Sequence, residues 1–160
     1  IENYYISLEA TLLKINFIDK LDIFFDKRFS HIADFDLITR LSTICKLNYC
    51  NEILSGWRIH DQNASFTESE KFLKEKIKWI NIYKNSRIFA KYQNAIFNLD
   101  ILMRAESIYS NSKYKKLSLR DALKYSGKFS SKIKIFFSLL PFLRTFLSIY
   151  KKIIYFIKWK

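Results

Sequence analysis

Two carboxylates, Asp34 and Asp36, lie within the stretch DKRFSHIADFDLITRLS (residues 26–42), where a loop of apolar and basic residues gives way to a helical pattern. A carboxylate in such a place has two uses. At the mouth of a helix it accepts from amides that lack an intrahelical partner, and in the first turn it answers the positive end of the helix dipole. Held beside an acceptor hydroxyl, it can instead take the proton as a general base. A helix start suits both roles, because the dipole keeps the group ionised.

A second group of chemistry-bearing residues follows in NEILSGWRIHDQNAS (residues 51–65). Arg58 and His60, spaced by two, fall on one side of an extended chain. A cation and an imidazole placed there suit neutralisation of an anionic leaving group. His60 is also a candidate ligand for a divalent metal. Trp57 either packs or stacks on a sugar, and His31 reads as a loop residue. Gly-rich phosphate loops, zinc-protease motifs and nucleophile elbows are absent. Cys45 and Cys50 have no second pair to complete a zinc site and no framework of further cysteines, so a reduced, cytosolic compartment is the default.

The elements that must position these groups are mainly helical. The chain has 160 residues, 49% of them apolar, with two glycines and one proline, which disfavours a turn-rich all-β fold. The pattern predicts a short strand near Tyr4 to Ser7 and a helix from about Glu9 carrying Leu12, Ile15 and Ile18 at helical intervals. ADFDLITRLSTICK predicts a helix over 33–46, with Leu37, Leu41 and Ile44 on one face and an Asp36–Arg40 pair at i,i+4. Two short strands are expected around Tyr49, Ile53, Trp57 and Ile59. A helix should then start at a Thr67–Glu70 capping box and run to about Lys84. Another spans 86–110 through Phe89, Tyr92, Ile96, Leu99 and Met103, and a short one from Ser118 should end near Gly127 in a left-handed cap.

Three motifs in order carry a resemblance. Phe25, Asp26, Arg28 and Phe29 match a first stretch, Asp34, Asp36, Leu37, Arg40 and Leu41 an acidic motif with its helix, and Trp57, Arg58, His60, Asn63 and Ser65 a closing stretch. Together they resemble the C-terminal, acceptor-side half of the catalytic domain of family 2 glycosyltransferases, which have the GT-A fold, over about residues 4–66. The resemblance implies an α/β fragment, helix-dominated, followed by several helices. It divides the chain into 1–66, the end of a catalytic domain, 67–112, a helical extension, and 113–160, a basic tail. It implies an inverting transfer of a sugar from a nucleotide-sugar donor to a glycan or lipid-linked acceptor in bacterial surface polysaccharide synthesis. Asp34 matches the general base, with Asp36, Trp57, Arg58 and His60 near substrate and a divalent metal (Mg or Mn) in the full-length enzyme. The family's usual glutamate before the base is Ala33 here. The D-x-D pair that binds nucleotide and metal normally lies upstream, so a donor-binding half is expected to precede Ile1, and this piece alone should be inactive.

The charge is uneven. The formal net charge is +13, and from Lys113 onward there are 13 Lys and Arg against one acid, Asp121. In the tail, charged residues break the apolar run into pieces too short to span a bilayer. On a helical wheel Ile135, Leu139, Phe142, Phe146 and Ile153 share a side, and Lys134, Ser138, Arg144, Lys151 and Lys152 the other. That pattern predicts an interfacial helix on an anionic membrane surface, with Phe142, Phe146, Lys151 and Lys152 facing the membrane. Together with the resemblance, that surface implies a cytoplasmic protein, peripheral at the inner face of the cytoplasmic membrane. Nucleic acid is not the expected partner, because the aromatics do not interleave with the bases. The competing reading is a non-catalytic helical protein that binds anionic membrane or an acidic partner through its tail.

Overall fold

In the computed structural model, the described residues are 6–56, 58, 60, 62–108 and 114–140. They form seven α-helices: α1 (Ile15–Ile18), α2 (Ala33–Leu41), α3 (Ala64–Thr67), α4 (Ser69–Tyr83), α5 (Gln93–Ser107), α6 (Leu119–Leu123) and α7 (Phe129–Leu139). Two 3₁₀ segments, Leu8–Ala10 and Arg87–Tyr92, join them. The helix-dominated character expected from composition is present. No strand occurs among the described residues, so neither the strand pair around residues 49–59 nor the α/β character is seen there. Residues 47–54 are exposed and form no backbone ladder in which extended chain could pair its amides.

The chain separates into two compact units that part between Gln93 and Asn94. The reason lies in α4, which supplies Phe72, Glu75 and Trp79 to the residues around α2. In the first unit Leu37, Ile38 and Leu41 are buried, and Leu13, Phe17, Leu21 and Cys45 pack against them. The other side of α2 meets an aromatic cluster. The Trp79 ring lies 5.1 Å from Phe35 and 5.2 Å from Phe89, both edge-to-face, and 4.9 Å from Tyr83. Such T-shaped pairs add about 0.5–1.5 kcal/mol each beyond the area they bury.

The second unit, described over 94–108 and 114–140, is built on α5, whose Leu99, Ile101, Leu102 and Met103 are buried together with Leu117, Tyr125 and Ile135. Arg104 pairs with Asp100 one turn earlier on α5 and with Asp121 of α6 at 2.9 Å. Tyr114 donates its hydroxyl to Asp100 at 2.5 Å. Burial and that acceptor both push the Tyr114 phenol well above its ordinary range.

Several local expectations differ from what forms. The helix expected from Glu9 shrinks to the single turn of α1, and Leu12 and Ile15 are exposed. The Thr67 capping box does not form. Asn63 opens a helix one turn early, Thr67 closes it by donating its hydroxyl to the Asn63 carbonyl at 3.3 Å, and Glu70 pairs with Lys74. Ser118 does cap α6, accepting from the Asp121 amide, but α6 ends at Lys124 in right-handed geometry and no glycine among the described residues has positive φ. In α7, Ser138 is fully buried and donates to the Ile135 carbonyl, so it does not lie on a solvent face.

Candidate functional site

Asp34 is the second residue of α2, not its cap; Ile32 holds the cap position and uses no side-chain bond to do so. The amides that approach the helix are satisfied from elsewhere. The Glu75 carboxylate accepts from the backbone N–H groups of Ser30 (3.0 Å), His31 (2.8 Å) and Ile32 (3.2 Å). Three consecutive amides turned toward one anion make a nest of the kind that binds phosphates, and here the occupant is part of the chain. Burial pushes the Glu75 carboxyl up, and the amides of Ser30 and His31 with their side chains outweigh it, so the group sits below its ordinary value.

His31, expected as a loop residue, is held at both nitrogens. Its Nε2 lies 2.5 Å from a Glu68 oxygen and its Nδ1 3.2 Å from Glu75, while the ring sits edge-on to Phe72 at 5.2 Å. Glu68, first of all, and then Glu75 raise its pKa. Glu68 in turn lies below its ordinary value, chiefly through Lys71, which donates to it at 2.6 Å, and then through His31. Glu68, Phe72, Glu75 and Trp79 recur at i, i+4, i+7 and i+11, one stripe along α4 and its entry. That spacing was the available signal for these residues.

The two aspartates beside the base position are committed to structure. Asp26 is gripped by Arg28 through its backbone amide and its guanidinium, at 2.5–2.9 Å, and this pairing leads the forces that hold its carboxyl below the ordinary range. Asp36, expected near substrate, is fully buried. Its Oδ2 accepts from Arg40 at 2.7 and 2.9 Å and its Oδ1 accepts the Trp79 indole N–H at 3.0 Å. Arg40 also donates to the carbonyls of Ile23 (2.5 Å) and Phe24 (2.9 Å), tying the FFDKRF segment to α2. Asp34 differs from both: it is half-buried and its carboxylate makes no hydrogen bond or ion pair among the described residues.

Arg58 and His60 are exposed, in a turn organised by Asn63. Asn63 accepts from the His60 amide at 2.6 Å and donates to the Arg58 carbonyl at 3.3 Å. No hydrogen bond or ion pair among the described residues joins either of them to Asp34. Trp57 lies outside the described residues, as do Phe142, Phe146, Lys151 and Lys152. The described residues do not fit a metal centre. No three His, Cys, Asp or Glu side chains among them are placed to hold a metal ion: His31, Glu68 and Glu75 meet but are bonded to one another, and the oxygens of Asp36 are already taken.

Compared with protein-family models, with curated proteins and with solved structures, the chain matches none.

Proposed function

We propose that this chain is the acceptor-side part of an inverting glycosyltransferase resembling family 2, with Asp34 as the general base. One observation carries the reading. Of the three aspartates in the motif-bearing segment, Asp26 and Asp36 are locked by arginines, and Asp34 alone keeps a carboxylate free of partners among the described residues. It stands in the first turn of α2, where the dipole favours the anion. Arg40 of the second motif also bonds the carbonyls of Ile23 and Phe24, the residues just ahead of the first motif.

In the proposed reaction the acceptor hydroxyl oxygen attacks the anomeric carbon of a nucleotide sugar. The bond from that carbon to the diphosphate oxygen breaks, and the hydroxyl proton passes to Asp34. The products are an inverted glycoside and a nucleoside diphosphate, whose charge Arg58 and His60 are suited to meet. The resemblance assigns donor and metal binding to a donor-binding half. The acceptor class follows the resemblance: a glycan or lipid-linked sugar at the inner face of the cytoplasmic membrane.

The test is transfer of labelled sugar from nucleotide sugars to a membrane extract by the protein as its gene encodes it, with and without Asp34→Asn. Loss of about 10²–10⁴-fold in rate, with unchanged circular dichroism, is the expected result for a general base. Undiminished transfer by the variant would refute the assignment of Asp34.

A further inference from the structure

The apolar residues that α7 leaves in solvent lie opposite those it buries. Ile135, Ser131 and Ser138 face inward, whereas Phe129, Ile133 and Phe136 are 76%, 39% and 57% exposed. Phe129, Ile133 and Phe136 sit at i, i+4 and i+7, a single stripe along the helix. On the neighbouring α6, Leu119 and Leu123, at i and i+4, are 63% and 78% exposed. Apolar surface repeated in this way on both helices of one unit is not the scatter of single residues normal on a protein surface.

The charges of the segment have one sign outward. Residues 114–140 carry seven Lys or Arg and one acid, Asp121. Asp121 is drawn inward to Arg104, which it shares with Asp100. Lys124, Lys128, Lys132 and Lys134, in contrast, are exposed. By helical spacing Lys132 borders the Phe129–Ile133–Phe136 stripe, and Lys134 is the lysine next met on its other side, toward Ser138.

We propose that α6 and α7 form a docking surface for an anionic lipid bilayer, with Phe129, Ile133 and Phe136 entering the acyl boundary and Lys132 and Lys134 at the level of the lipid phosphates. Exposed rings on one side of a helix with lysines along its margins are what an interfacial helix requires. No helix among the described residues is long and apolar enough to cross a membrane. This surface is separate from the wheel expected of the sequence, which set Ile135 toward lipid; Ile135 is in the interior. The proposal does not depend on Asp34 being a base.

The experiment is co-sedimentation of the full chain with phosphatidylcholine vesicles and with vesicles containing phosphatidylglycerol, for the parent, Phe129→Ser with Phe136→Ser, and Lys132→Gln with Lys134→Gln. The parent should bind the anionic vesicles more tightly. Loss of each ring should weaken binding by about tenfold or more, and loss of each lysine by about fivefold on anionic vesicles only. All four residues are exposed, so folding is preserved and circular dichroism checks it. A Phe136→Trp variant adds a direct readout, since brominated lipid should quench its fluorescence beyond that of the parent. Binding unaffected by loss of the rings, equal binding to both vesicle types, no vesicle binding, or tight binding to an anionic oligonucleotide that vesicles fail to displace would each overturn the proposal.

Discussion

Asp36 and Trp79, forty-three residues apart, meet in the interior of the first unit, where the indole N–H donates to the Asp36 carboxylate at 3.0 Å. Arg40 completes the arrangement from the next turn of α2. A buried ion pair is weak evidence of net stability, but removing one partner strands the other. Arg40→Met should therefore destabilise the protein by about 3–5 kcal/mol. Trp79→Phe should cost about 3 kcal/mol or less through the lost donor, since Arg40 still neutralises the charge. Denaturant midpoints of the two variants measure both, and a near-neutral Arg40→Met would refute the dependence of buried Asp36 on its arginine.

The contrast between Asp34 and Asp36 gives a second test. Both stand in the first turn of α2, and Asp34→Asn removes only a favourable interaction with the dipole, about 0.3–1 kcal/mol. Asp36→Asn replaces a charged acceptor that two hydrogen-bonding residues require, and hydrogen bonds to charged groups contribute about 1.5–3 kcal/mol each. Thermal unfolding should barely move for Asp34→Asn and fall clearly for Asp36→Asn. Equal losses would mean that Asp34 also has a structural partner, leaving less reason to reserve it for chemistry.

Much of the first unit was legible because its signals are local. The Asp36–Arg40 pair follows from i,i+4 spacing, and Leu37 and Leu41 on the apolar face of α2 from helical periodicity, whereas Ile44, expected on that face of a helix over 33–46, lies beyond the end of α2 and is exposed. The burial of Asp36 was not legible: its decisive neighbour, Trp79, belongs to another helix. The same holds for His31 and Glu75. Nothing near residue 31 announces that a carboxylate 44 positions later will take its amide. The overlooked clue was the stripe Glu68, Phe72, Glu75, Trp79, where two acids interrupt an otherwise apolar face. The capping box failed for a related reason. Thr67 and Glu70 have the right types, but Asn63 nucleates a turn four residues earlier and Thr67 is spent closing it. In α7 the wheel placed Ile135 and Ser138 on opposite sides; they share the interior because a small hydroxyl can satisfy itself on the carbonyl one turn back.

The nest at residues 30–32 should be the first unit's most sensitive loop. Glu75→Ala leaves three consecutive amides without their acceptor. Water can reach Ser30, which is exposed, but Ile32 is buried, so the loss should be about 1–3 kcal/mol. Hydrogen exchange offers the specific readout. The amides of Ser30, His31 and Ile32 should lose protection in Glu75→Ala, while those in α5 keep theirs. Glu75→Gln retains an acceptor oxygen and should fall between parent and alanine variant. Uniform loss of protection across both units would refute this local role.

The carboxylates around His31 also set a pH window for stability. His31 has a raised pKa in the folded protein, so its contribution is complete below its ordinary value of about 6.5 and fades as the pH rises through the higher folded value. Glu68 and Glu75 are shifted the other way: their contribution is present above about 4.3 and fades as the pH falls through their lowered values. The cluster therefore stabilises the protein most between about pH 4.3 and 6.5, and mildly alkaline solution should loosen the hold of Glu68 and Glu75 on the loop before α2. His31→Gln should flatten the alkaline limb of a stability–pH profile while leaving the acid limb, which Glu75→Gln should reduce. Lys71 is bonded to Glu68 independently of His31, so the difference between parent and His31→Gln on the alkaline limb reports the imidazole. An alkaline limb as steep in His31→Gln as in the parent would show that the imidazole, though flanked by two carboxylates, does not hold the loop through its charge.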